Sequence, residues 1–413
     1  VFVMAVQETR IALRNVGKID PRSIDDYIAT GGYEALKKAR QMDQDQLIDE
    51  IENASRLRGR GGAGFNTGFK WSGAKASDGD KKYIVCNGDE GEPGTFKDRV
   101  IIENDPHTVI EGMLIAAYAV GADEAIIYCR GEYVEQIELL RLAISQAKEK
   151  GMTENVTVRV FSGAGSYVCG EETALLNSIE EKRAEPRLKP PFPTVKGLYR
   201  KPTVVNNVET YANVPVIVLN GAKWFSEIGS KEYPGTKIFS VSGDVKYPGC
   251  YEMTTDSSLE DIVIGLAGGS KEGHSIKAIQ LGGSSCGYIK GSEMNLSVDF
   301  DSLRKNGRAL GSGAILVLDE THNLADQVQQ ILHFFAHESC GKCTPCREGL
   351  YQACVLIDKF AEAKGTQEDL DMMLSLYKLM GKDCFCPLGQ GALTAFQSAY
   401  ELFPEDFRER MVK

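Results

Sequence analysis

Apolar residues recur at helical spacing from Leu47 to Leu57, until a glycine-rich run opens at Gly59. Beyond it, short β-branched runs alternate with longer helical stretches. The runs are Tyr83–Cys86, Ala125–Tyr128 and Val156–Phe161, and the stretches are Pro106–Val120 and Val134–Lys148. That alternation predicts βαβ units, hence an α/β layer around a mainly parallel sheet. A helix starting near Gly170 stops before Pro186–Pro202, whose prolines exclude regular helix, so this stretch reads as a loop laid over the sheet. The pattern changes at Tyr233-Pro234-Gly235. Lys237–Gly243, Gly249–Met253, Ile276–Leu281 and Ala314–Leu318 predict short strands around one helix, Leu259–Ala267, forming a small mixed module. From Asn323 the period is helical, in segments Ala325–His337, Arg347–Ala363, Gln367–Met380 and Gln390–Phe403, which predicts a terminal bundle. The expected domains are 1–233, 234–322 and 323–413.

At 413 residues, 42% of them hydrophobic, the chain is too long for one ordinary core. A net charge of -11 without a basic tract argues against nucleic acid or a membrane surface as partner. The longest apolar stretches, Val109–Val120 with Glu111 inside it and Val214–Leu219, fall short of a membrane span. With no basic, apolar leader at the start and many cysteines, a reducing, cytoplasmic setting is expected. The first residue is Val1 rather than methionine, so further domains beyond the termini remain open.

Cysteine placement changes the picture most. Cys340, Cys343 and Cys346 have two residues between each pair, and Cys386-Pro387 follows downstream, an arrangement able to hold an iron-sulfur cube from one loop and one remote ligand. Zinc sites more often pair two C-x-x-C knuckles, and a chain this long has no need of disulfide staples. Cys384 competes for the fourth place, but Pro387 and Gly389 flank Cys386 more closely and favour it. Cys86, Cys129, Cys169, Cys250, Cys286 and Cys354 read as ordinary thiols. The five histidines, His107, His274, His322, His333 and His337, show no nucleophile or metal spacing.

Four further clusters suit a nucleotide. In Gly59-Arg60-Gly61-Gly62-Ala63-Gly64-Phe65 the glycines let backbone approach a phosphate, and Arg60 and Lys70 would supply positive charge. The run fits neither the usual dinucleotide fingerprint nor a Walker loop, and a flexible surface loop is the plainer alternative. Asn87, Asp89, Glu90 and Glu92 follow a predicted strand directly, where α/β proteins place ligand contacts; a calcium or magnesium loop is the competing reading. Tyr167, Gly170, Glu171 and Glu172 open a helix, either as an anion site or as a capped first turn. Asn206, Asn207 and Thr210 add amides and a hydroxyl, or only an Asx turn.

In order, Arg58–Phe65, Glu92–Arg99, Gly170–Glu172, Pro190–Pro193 and Glu338–Gly349 resemble the NADH-oxidising flavoprotein subunit of respiratory complex I and its relatives in NAD-linked hydrogenases and formate dehydrogenases. The resemblance implies a Rossmann-like FMN and NADH domain, a β-grasp (ubiquitin-like) module and a four-helix bundle with a 4Fe-4S cluster. It implies that Gly59, Gly61, Gly62, Lys70, Asn87, Asp89, Glu90, Gly170, Glu171, Asn206, Asn207 and Thr210 hold FMN. Phe65, Glu92, Tyr167, Glu172 and Phe192 would contact NADH, with Glu92 and Tyr167 positioning the nicotinamide. Cys340, Cys343, Cys346 and Cys386 would hold the cluster. Carboxylates in that pocket would disfavour the extra phosphate of NADPH. Gly73 departs from the pattern, standing where relatives often carry an aromatic adenine contact.

Ile11–Pro21 and Asp26–Tyr33 look most like the β subunit of multimeric iron hydrogenases. That likeness implies as partners a small thioredoxin-like 2Fe-2S subunit and a catalytic hydrogenase or other Fe-S subunit. The extra 2Fe-2S and ferredoxin domains such relatives often carry are not in this sequence, which counts against electron bifurcation. Hydride exchange between NADH and FMN, followed by single-electron transfer to the cluster, is the expected activity. A noncatalytic Fe-S scaffold and a zinc-structured module are the readings of another class.

Overall fold

The computed structural model describes residues 6–412; Val1–Ala5 and Lys413, included in the expected domain ranges, lie outside them. Four parallel strands, β1 (Tyr83–Gly88), β2 (Glu124–Cys129), β3 (Thr157–Ser162) and β4 (Thr203–Asn207), form a sheet in the order β3-β2-β1-β4. The chain leaves β1 toward β2 on one side, while β4 returns on the other, so the strand order reverses between β1 and β4. A crevice opens at the carboxyl ends of strands at such a point. Register places Asn87 beside Asn207 and Cys86 beside Asn206 there.

One face of the sheet is covered by the Pro106–Val120 and Val208–Asn220 helices, which also pack on each other. Pro106–Val120 is apolar nearly all round because it is buried nearly all round. Asp105 accepts from Thr108 N at its start, and Gly121, at φ 73°, stops it in the left-handed conformation that a side chain resists. A smaller cluster, including Leu175, Leu176 and Leu198, covers the other face.

Five further strands form a mixed sheet in the order β6-β5-β9-β7-β8: β5 (Thr236–Gly243), β6 (Gly249–Thr254), β7 (Ile276–Leu281), β8 (Tyr288–Lys290) and β9 (Ala314–Asp319). Buried charge fastens this sheet to the first. Glu209, at the start of the Val208–Asn220 helix, receives Lys237 Nζ at 2.6 Å, Lys97 Nζ at 2.9 Å and Ile238 N at 2.8 Å. Burial works against both ammoniums; Asp98 and Glu209 outweigh it at Lys97, whereas burial prevails at Lys237 and brings it down to about 8. Glu252 on β6 accepts from Ala12 N and Leu13 N, tying the amino-terminal segment down. The helices Leu324–Glu338, Thr344–Ala361, Gln367–Asp383 and Thr394–Leu402 complete the molecule around their own core.

Several local expectations change. The Leu47–Leu57 stretch is a helix, Gln44–Asp49, that widens into a π-helical turn over Glu50–Ala54. Leu259–Ala267 is likewise π-helical over Asp261–Leu266. Gln390–Phe403 divides into Pro387–Gly391 and Thr394–Leu402. β4 and its helix, absent from the sequence-based pattern, were concealed by the neighbouring prolines and by Pro215 inside the helix.

Candidate functional site

The crevice between β1 and β4 collects residues from five segments. Gly61 lies against Asn207: a Cβ built on it would stand 3.0 Å from the Asn207 Cβ, so a larger side chain would push the loop off β4. Gly62 has φ 134°, which other residues rarely adopt. Asn87 Nδ2 donates to Gly170 O at 2.9 Å, joining the β1 end to the Tyr167–Gly170 turn. Asn206 Oδ1 accepts from the buried Trp71 indole at 3.1 Å. Asp89 Oδ2 is buried without a hydrogen-bond partner, and burial pushes its carboxyl up to about 7. An orphaned acceptor beside a glycine cradle fits the hydroxyl-rich chain and phosphate of FMN.

Other expected contacts hold the cradle itself. Arg60 is fully buried and does not face a nucleotide phosphate: its guanidinium donates to the carbonyls of Thr236, Pro234 and Arg58 and stacks over Tyr233 at 4.3 Å. Glycine neighbours make Arg60 look exposed in sequence, whereas the loop turns it inward to satisfy the carbonyls at the start of β5. Its backbone N donates to Thr210 Oγ1 at 2.9 Å. Glu90 accepts from Asp98 N, Arg99 N and Tyr133 Oη, capping the Lys97–Asn104 helix, and burial pushes it up to about 7. Glu171 accepts from Thr173 N and Ala174 N at the start of Glu172–Ile179. This helix start is therefore a capped turn rather than an open anion site. Asn207 caps the next helix through Glu209 N while donating to Asp98.

The outer wall is aromatic and charged. Phe65, Phe69 and Phe192 are all about half exposed, and Phe65 meets Phe69 edge-on at 5.6 Å. Nothing in the sequence singles out Phe69, although it lies one helical turn before Gly73 on the same helix. Gly73 itself faces Thr194, which a Cβ there would approach to 3.6 Å. Lys70 Nζ reaches Glu172 at 3.1 Å and Val205 O at 3.1 Å. Lys189, also missed because prolines surround it, bridges Glu171 at 2.8 Å and Glu172 at 3.2 Å. Burial raises the Glu172 carboxyl, but these two ammoniums outweigh it and hold the group below its ordinary range. At the inner end Tyr167 Oη donates to Glu92, whose other oxygen accepts from Ser285 N at 3.1 Å; burial raises Glu92.

The Tyr167–Gly170 turn reaches the cysteines as well. Tyr167 N donates to Glu338 at 2.8 Å and its ring lies edge-on to Phe334. Val168 lines a small hollow together with Cys340, Cys343, Cys346 and Cys386. Four thiols around one hollow form the donor set of an iron-sulfur cluster. Cys384 is not in that lining. Cys384, together with Ser339 Oγ at 3.2 Å, brings the Cys346 thiol down to about 6, while Cys384 itself is raised. Burial raises Cys386, opposed by the N–H groups of Gly389 and Leu388. All eleven cysteines are free.

Comparison with known proteins agrees with this layout. Residues 53–216 match the Nuo51 FMN-binding domain, 238–289 the SLBB domain and 326–410 the iron-sulfur binding region of NADH-ubiquinone oxidoreductase-F. The chain is 46% identical over 405 residues to an NADH-quinone oxidoreductase F subunit of Rhizobium meliloti, the second of that name, covering 96% of each chain. It is 43% identical to HndC, of the NADP-reducing hydrogenase of Solidesulfovibrio fructosivorans, over 97% of this chain and 83% of that one. An NAD+-reducing NiFe hydrogenase in its H2-reduced state superposes with a TM-score of 0.87 at 35% identity, over 94% of this chain and 66% of that one. Among the described residues no helix is long and apolar enough to cross a membrane. The chain belongs to the family of NADH-quinone oxidoreductase F subunits, as an FMN- and 4Fe-4S-binding oxidoreductase component with NADH as its substrate.

Proposed function

We propose that this chain is the NADH-oxidising and NAD+-reducing subunit of an NAD-linked hydrogenase assembly. FMN, when bound, supplies the acceptor for the nicotinamide hydride, and the cluster supplies a one-electron outlet. The carrying observation is the Tyr167–Gly170 turn, which touches Glu92 and Asn87 on the crevice side and lines the cysteine hollow through Val168. Glu92 and Tyr167 orient the nicotinamide, Phe65 and Phe192 offer faces to the adenine, and Asp89 accepts from the flavin side chain. No side chain is required as a general acid. Cys340, Cys343, Cys346 and Cys386 hold the cluster, from which partner subunits take the electrons. In this reading those partners are a thioredoxin-like 2Fe-2S subunit and a hydrogenase subunit, in the cytoplasm, and the domains divide at 233/234 and 322/323.

The likeness to HndC and to the NAD+-reducing hydrogenase supports this context, as does the Ile11–Tyr33 segment. The Rhizobium relative supports a quinone-linked assembly as the second reading. Discrimination against NADPH rests less on repulsion than the sequence suggested, because Lys70 and Lys189 balance Glu171 and Glu172. Anaerobic purification of the native assembly, assayed with H2 and NAD+, tests the context. Reduction of NAD+ by H2 is expected; NADH oxidation with quinone and none with H2 would replace the hydrogenase reading by the quinone one.

A further inference from the structure

β5 and β9 are adjacent and parallel, so their carboxyl ends lie side by side, with Asp244 N donating to Val317 O at 2.9 Å. Asp244 directly follows β5, Asp319 closes β9, and His322 stands just before the Leu324–Glu338 helix. One ligand atom from each of these three residues lies within 4.8 Å of the others. His322 Nε2 is 2.8 Å from Asp244 Oδ2. Tetrahedral zinc about 2.1 Å from nitrogen and oxygen ligands spaces them roughly 3.4 Å apart. Small side-chain rotations would open the His322–Asp244 pair and bring the three atoms to that spacing.

The surroundings hold the carboxylates in place. Asp319 Oδ1 accepts from Thr321 N at 3.0 Å and Thr321 Oγ1 at 2.6 Å, and Asp319 Oδ2 lies 3.0 Å from His274 Nδ1. Asp244 Oδ2 also accepts from Asp319 N at 3.2 Å. Hydrogen-bonded carboxylates and a supporting imidazole are what fixes ligands in metal centres. Lys271 Nζ, 3.2 Å from Asp244 Oδ1, is on a side chain 47% exposed and free to swing into water as a cation arrives. Nothing in sequence spacing reveals the set, because β5 and β9 are far apart along the chain.

We propose that Asp244, Asp319 and His322 bind a divalent cation of the zinc class, with water completing the shell and His274 positioning Asp319. The ion would tie the β5–β9 sheet to the segment that enters the cysteine-bearing bundle.

The test uses the flavin- and iron-loaded chain in metal-depleted buffer, dialysed against zinc, with zinc and iron counted in the same sample. One zinc per chain with iron unchanged is expected. His322→Gln and Asp244→Asn should each weaken binding at least tenfold, and His274→Gln severalfold. Zinc should also raise the unfolding temperature of the parent chain but not of His322→Gln. Flavin and iron content certify that each variant has folded, and two independent ligand variants keep the test decisive. Equal zinc in the parent and both ligand variants, or zinc gained only as iron is lost, overturns the site and leaves a ring of salt bridges only.

Discussion

The cysteine hollow and the flavin crevice solve different problems. In the hollow, the residues that stand out in sequence are also the ones that meet: Cys340, Cys343, Cys346 and Cys386 share one lining. In the crevice, many of the residues that stand out hold the frame: Arg60 cages carbonyls, while Glu90 and Glu171 cap helices. A metal-sulfur cage takes its specificity from side-chain donors. A nucleotide cradle relies on backbone held at close approach, so conspicuous charges there serve geometry first.

That contrast is most exposed at the thiols. Cys386→Ser should reduce bound iron from about four per chain to near none while flavin remains, whereas Cys384→Ser should keep the iron. Iron analysis beside flavin content decides it, and the reverse pattern would make Cys384 the fourth ligand. Next in size is the buried clip. Glu209→Gln leaves Lys97 and Lys237 buried without their shared carboxylate, at a cost of about 3–5 kcal/mol by denaturant unfolding. Arg60→Met should cost about 3 kcal/mol by stranding carbonyls, with little change in the salt dependence of FMN binding. A steep loss of salt dependence would instead mark Arg60 as a phosphate contact.

Smaller effects lie in the crevice. Asp89, ordinarily near 3.8, is raised to about 7 by burial, and in the proposed site its ionised form would accept from a flavin hydroxyl. Binding thus favours proton release, so FMN affinity should rise as pH passes upward through about 7 and level off above. Asp89→Asn should flatten that profile, measured by flavin fluorescence. In the flavin-free chain the sign is opposite. A folded value above the unfolded one means stability falls as pH rises from about 4 to 7. Smallest is Glu171→Ala, about 1 kcal/mol for a lost cap.

Legibility in the sequence follows the same division. The parallel sheet, the mixed module and the bundle were readable because their apolar periods are strong. β4 was not, since it is a short run between Pro202 and a helix containing Pro215. The cysteines stood out because a cluster needs several thiols together, and Pro387 and Gly389 favoured Cys386 over Cys384 as the fourth. Which carboxylates face a ligand was not readable, because Glu90 differs from Asp89 only in which way the backbone turns each after β1. Lys189, Phe69 and the Asp244–His322 set carry no local signature; only the folded chain brings their partners to them.

In the proposed function, crevice and hollow make one route from NADH to a cluster held by the cysteines. Anaerobic NADH titration of the flavin- and iron-loaded chain, followed by visible absorbance and electron paramagnetic resonance, tests this route. Loss of flavin and Fe-S absorbance together with a new cluster signal is expected, and in Cys386→Ser a flavin response alone. A fully loaded chain whose flavin bleaches while its cluster stays oxidised would contradict passage through the Tyr167–Gly170 turn.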